Sequence, residues 1–90
     1  MLPVGKAKGH IWHHDEYLCD VEYDISAPLR RTSTLRVQRV VLTVADEHRL
    51  TLLNSHGLTL MLEDSSRHSI PQALQSTGLG HLEFYVESQR

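Results

Sequence analysis

Imidazoles and carboxylates crowd the first quarter of the chain. His10, His13 and His14 are followed at once by Asp15 and Glu16, and Asp20, Glu22 and Asp24 then recur at every second position. Such groups are natural ligands of zinc and related divalent ions. If a turn at Asp15-Glu16 folds the two segments into a hairpin, cross-strand partners approach to about 5 Å. His10, His13, His14 and Glu16 then make up a candidate metal set. Alternate positions of one strand lie about 7 Å apart, however, too far for Asp20, Glu22 and Asp24 alone to chelate one ion. No His-x-x-x-His, Cys-x-x-Cys or calcium-loop spacing is present, so a solvated polar face beside a turn is the simpler expectation.

The second set is basic. Arg30, Arg31, Arg36 and Arg39 lie close together, with Trp12 and the tyrosines elsewhere in the chain. Small barrels bind single-stranded nucleic acid with a charged groove and aromatic platforms. Here the acids between Asp15 and Asp24 oppose a polyanion, and the aromatic residues are not interleaved with the arginines. Pairing of the Arg30–Arg39 segment with the acidic strand Asp20–Asp24, within one chain or between two copies, ranks above nucleic acid. Complementary charges of that kind set orientation more than affinity. Trp12 is either an exposed anchor at a partner surface or a core residue, and the core is favoured because only one phenylalanine competes for that place.

Catalysis finds less support. Cys19 needs an activating base and exposure to act as a nucleophile, and its place in the alternation puts it on a buried face. Ser65 and Ser66 could be imagined in a triad with His68 and Asp46, yet they sit in a turn without a nucleophile elbow or an oxyanion loop. Gly78-Leu79-Gly80 is a turn signal and not a phosphate cradle. No cofactor is implied and no enzyme is expected.

Ninety residues make one small domain with a thin core. A net charge of −2 is too near zero to mark an obligate polyanion binder, and seven histidines should swing it positive as the pH falls toward about 5. No apolar run approaches the roughly 18 residues of a membrane span, and the first residues lack a secretory pattern. A single cysteine cannot form an internal disulfide, which makes the cytoplasm the expected location.

These side chains have to be positioned by strands. Residues 17–25 alternate, with Cys19, Val21, Tyr23 and Ile25 on one face and Asp20, Glu22 and Asp24 on the other; Leu18 breaks the pattern. Met1 to Gly9 reads as a loose entry and Arg30 to Ser33 as a long exposed loop. From Val40 to Ile70, apolar runs separated by Asp46-Glu47-His48, Asn54–Gly57 and Asp64–Ser66 read as a meander of strands, each pairing with the next. Leu82, Phe84 and Val86 alternate with Glu83, Tyr85 and Glu87 in the last strand.

The expected fold is all-β, a small antiparallel barrel or two-layer sandwich of about seven short strands, with at most one short helix near residues 70–77. The run Val41–Leu53, followed by Ser69-Ile-Pro-Gln-Ala-Leu74, resembles bacterial pleckstrin-homology-like domains. There a strand–turn–strand with an Arg-Leu step precedes an Ile-Pro strand end, and a closing helix follows. No such helix is expected before Arg90, and the resemblance transfers no lipid or ligand site. The functional expectation is a non-enzymatic binding or assembly module that meets a protein partner or a second copy through strand edges and charged surfaces.

Overall fold

The alternating segment folds as its pattern requires. In the computed structural model, which describes residues 1–71 and 74–89, β1 (Gly5–His13) and β2 (Glu16–Ile25) form a long antiparallel hairpin. Cys19, Val21, Tyr23 and Ile25 are buried and Asp20, Glu22 and Asp24 are exposed. The further strands are β3 (Leu29–Arg30), β4 (Leu35–Thr43), β5 (Leu58–Met61), β6 (Arg67–Ser69), β7 (Gln75–Ser76) and β8 (Leu82–Gln89). They make one antiparallel sheet in the order β6-β5-β1-β2-β4-β8-β7, with β3 paired to β4 beside that path. The sheet curls into a half-barrel, so the expected all-β architecture is present.

The two edge strands are consecutive in the chain. The link between β6 and β7 begins at Ile70 and ends at Leu74, and both side chains are buried in the core. Both belong to the single buried cluster enclosed by the curled sheet. Leu42, Leu60 and Leu82, from β4, β5 and β8, are fully buried in the same cluster.

A glutamine holds the beginning of the chain. β4 turns Gln38, Val40 and Leu42 inward, and Gln38 is only 1% exposed. Its Oε1 accepts from the Leu2 amide at 2.9 Å, and its Nε2 donates to the carbonyls of Leu2 (2.9 Å) and Ser26 (3.1 Å). Every polar atom of the side chain thus has a partner, as burial demands. The expected loose entry is instead a pinned segment with Leu2 in the core and β1 starting at Gly5.

The main departure from expectation is α1 (Asp46–Leu53), which occupies a stretch read as a strand. Asp46 and Glu47 stand in its first turn, where carboxylates favour a helix. Arg49 pairs with Asp46 one turn back. A strand would send Leu50 and Leu52 to the same face; the helix separates them, leaving Leu50 71% exposed and Leu52 1% exposed. The resemblance to pleckstrin-homology-like domains fails here, because its Arg-Leu step, Arg49-Leu50, is helical. The meander changes too. After α1 the chain returns on the far side of the first hairpin, so β5 pairs with β1 and β4 pairs with β2 and β8.

The helix expected near 70–77 is not found where the structure describes that segment. Gln75–Ser76 is a strand paired with Leu82 and Glu83, and Gln72 and Ala73 lie outside the described residues. Ser76 joins a ladder instead of a helical turn because Thr77 and His81 close a tight loop, Thr77 N–H donating to the His81 carbonyl at 3.0 Å. Among the described residues no helix is long and apolar enough to cross a membrane.

Two substitutions check this account. A Cβ at Gly9 would press on the Met61 carbonyl oxygen and come within 3.1 Å of the Tyr23 ring. Gly9→Ala should therefore destabilise the domain by about 1–3 kcal/mol, read by urea unfolding. Gln38→Leu strips the partners from two buried backbone groups of Leu2 and the half-buried Ser26 carbonyl, and should cost on the order of 3 kcal/mol. It should also speed hydrogen exchange at Leu2, whereas unchanged exchange there would contradict the clamp.

Candidate functional site

One break in the two-residue rhythm creates the most organised surface of the molecule. The β1–β2 register runs His10↔Asp20 and Ile11↔Cys19, then shifts so that Trp12 faces Tyr17. Leu18 is the extra residue of a β-bulge, which absorbs one position and turns the preceding residue over. Without it Tyr17 would point inward with Cys19. With it, Tyr17 shares the outer face with Asp20, three residues on, while Leu18 packs partly against the core. The turn itself is His14-Asp15, with His14 in the left-handed region (φ 55°), one residue earlier than the spacing suggested.

On that outer face five side chains meet. Asp20 Oδ1 takes two hydrogen bonds, one from the Tyr17 hydroxyl and one, at 2.7 Å, with His10 Nδ1. The Tyr17 ring stands edge-on to both Trp12 and His10, with centroids 5.7 Å apart in each case. Arg67 of β6 lies over the Trp12 ring, 5.2 Å from its centroid, a cation–π geometry. Arg67, Trp12, Tyr17, His10 and Asp20 thus form a strip that runs from β6 across β5, where Met61 stands opposite both Arg67 and His10, to β1 and β2. The Tyr17 hydroxyl, followed by His10, holds the Asp20 carboxyl below the usual carboxylate range. The same bond, with lesser contributions from desolvation and the Asp20 charge, pushes the Tyr17 phenol up.

Three of the residues singled out in the sequence, Trp12, Asp20 and His10, belong to this strip. Trp12 is half-buried on the outer face, and Tyr23 and Phe84 are the buried core aromatics instead. Tyr17 and Arg67 escaped the sequence reading. Leu18, apolar at a polar position, was the one trace of the bulge that presents Tyr17. Arg67 gave no local signal, because it arrives from a strand brought alongside by tertiary pairing.

The metal set is dispersed. His10 and His13 fall on opposite sides of β1, the His13 ring lies tilted against His14 with centroids 4.4 Å apart, and Glu16 is exposed opposite His13. No three described His, Cys, Asp or Glu residues gather in a geometry that could hold an ion. Glu22 and Asp24 are registered opposite Lys8 and Lys6 of β1, and not opposite the arginines.

The arginines are also separated. Arg39 is bound by Glu83 of β8, with Nε and Nη2 both 2.5 Å from Oε2. Arg36 is half-buried opposite Arg30, and Arg30 and Arg31 are exposed at the β3–β4 loop. The expected complementary pair of Asp20–Asp24 with Arg30–Arg39 is therefore not formed within the chain.

The imagined triad resolves into a turn lock. Ser66 Oγ donates to Asp64 Oδ1 at 2.5 Å and lies 3.0 Å from His68 Nε2, while Asp46 pairs with Arg49. A serine whose proton already goes to a carboxylate has its histidine on the wrong side for general-base activation. Cys19 is buried, and desolvation followed by the Asp20 charge pushes its thiol up, so it stays protonated at neutral pH.

Compared with models of protein families, with curated proteins and with solved structures, the chain matches none.

The Tyr17–Asp20 bond has a titration signature. Tyr17→Phe removes the largest cause of the depressed Asp20 pKa, so that pKa should climb toward the ordinary value of about 3.9, read from carboxyl carbon shifts in NMR. A lowered folded pKa adds stability above the unfolded value, and this is lost as pH falls through the folded one. The variant should therefore show a smaller loss of stability in that acid window, and an unmoved Asp20 would show that the bond is not made in solution.

Proposed function

We propose that this domain is a non-enzymatic binding module whose contact surface is the outer face of the β1–β2 hairpin, centred on Trp12 and Tyr17. One observation carries the reading: Tyr17 is 47% exposed, yet its hydroxyl is held by Asp20 and its ring by Trp12 and His10. An exposed aromatic side chain fixed in advance gives a partner contact area with little further loss of rotamer freedom. Trp, Tyr and Arg, the three types that dominate binding hot spots, adjoin on this strip.

The face is a better candidate than the strand edges. β6 has three residues and β7 has two, and β3 has two directly after Pro28. Short edges and a preceding proline discourage strand addition. The lone Cys19 supports placing the module in a reducing compartment such as the cytoplasm.

The test compares immobilised wild-type domain with Tyr17→Ser and with Arg31→Glu, a charge change at the β3–β4 loop away from the strip. A protein retained by wild type and Arg31→Glu but lost from Tyr17→Ser is the expected result. Equal retention by a folded Tyr17→Ser variant would remove the outer face from consideration.

A further inference from the structure

The strip is electrically two-ended. At the β6 end, Arg67 has no carboxylate within ion-pair distance among the described residues. At the β2 end, Asp20 uses only Oδ1 for its bonds to Tyr17 and His10, leaving Oδ2 without a partner among the described residues on a side chain 75% exposed. Met61 and His10 occupy the positions between them, and on the next row Trp12 lies beneath Arg67 while Tyr17 is bonded to Asp20. Arg67 and Asp20 are three strand spacings apart, about 14 Å. The neighbouring row, Lys8 opposite Glu22, is balanced and favours neither sign.

We propose that the partner of this face is a second copy of the same chain, placed by a two-fold axis that sets Arg67 of each copy against Asp20 of the other. The inference rests on the reading of the outer face as the contact surface. A strip that is basic at one end, aromatic in the middle and acidic at the other is complementary to itself when turned end for end. A two-fold axis lying in the interface and crossing the strip at its aromatic centre performs that operation. The spacing at the two ends matches automatically, because an isologous interface uses one patch twice. The guanidinium meets the free carboxylate oxygen of Asp20 while Tyr17 and His10 keep the other in place. Aromatic packing at the centre supplies the apolar contact. Five side chains cover less than the roughly 800 Å² per partner of a standard interface, so the dimer dissociates on dilution and weakens with salt.

Sedimentation equilibrium over a range of concentrations provides the test, with Arg67→Glu and Asp20→Arg as variants. Each alone places like charges at both ends of the interface and should weaken dimerisation by at least about tenfold. An equal mixture of the two variants restores both contacts, since Glu at 67 of one faces Arg at 20 of the other and the remaining Asp20 faces the remaining Arg67. The mixture should associate at least about fivefold more tightly than either variant alone, short of wild type because Asp20→Arg also releases Tyr17 and His10 in one copy. A folding defect cannot produce that recovery. A wild-type chain that is monomeric at every concentration overturns the second copy as partner, while the outer-face reading is judged separately by the Tyr17→Ser comparison. A dimer indifferent to both reversals, or a mixture that fails to recover, also overturns the inference.

Discussion

The strict parity of the β1–β2 hairpin, and its single interruption at Leu18, is the constraint on which the rest of the structure depends. Both strands lie in the middle of the sheet, so their inward residues, Ile11, Cys19, Val21, Tyr23 and Ile25, face the buried cluster throughout. A slip of one residue would exchange that apolar set for Asp20, Glu22 and Asp24, which is why register here is so firmly specified. The bulge changes parity only beyond Cys19, near the turn. The core half of the hairpin keeps its apolar face, and the tip half turns Tyr17 outward. One extra residue thus separates a structural half from a surface half.

Gly9 and Gln38 show how closely the remaining chain is fitted to this hairpin. Gly9 lets the Met61 carbonyl and the Tyr23 ring approach where any side chain would intrude. The Tyr23 hydroxyl, in turn, accepts from the Glu63 amide at 3.1 Å, tying the end of β5 back to β2. Gln38 performs the same task at the other end of the chain by satisfying both backbone groups of Leu2. A small core gains little from apolar burial alone, so fully partnered polar groups inside it specify one arrangement of the strands.

An open sheet must deal with its edges, and this one does so without closing a hydrogen-bonded barrel. The edges β6 and β7 are short and consecutive in the chain, and Ile70 and Leu74 between them are buried in the core. The charged groups are mostly spent internally or balanced: Arg39 on Glu83, Arg49 on Asp46, Lys6 and Lys8 opposite Asp24 and Glu22. Among the described residues without an ion pair, Arg67 stands beside the exposed aromatic surface of the outer face, and Asp20 there keeps its second oxygen unbonded, while Arg30 and Arg31 lie apart at the β3–β4 loop.

Alternation by itself determined the hairpin, the last strand and the all-β class, because a period of two can bury only one face of a strand. The single cysteine likewise read as buried from its parity alone. Residues 49–53 were not legible, since a short leucine-rich run fits a strand or a helix, and the choice depended on the acidic first turn and on what Leu52 had to fill. The candidate site was legible only in part. Trp12, His10 and Asp20 stood out as residue types, but their association with Tyr17 required a bulge, and that with Arg67 required β5 and β6 to pair beside β1. Arg39 met Glu83 through the separate pairing of β4 with β8, whereas alternation within β1 alone put His13 on the face opposite His10. Local periodicity fixes which face a side chain takes, whereas the neighbours it meets there depend on strand order, which is decided by contacts between residues far apart in the chain.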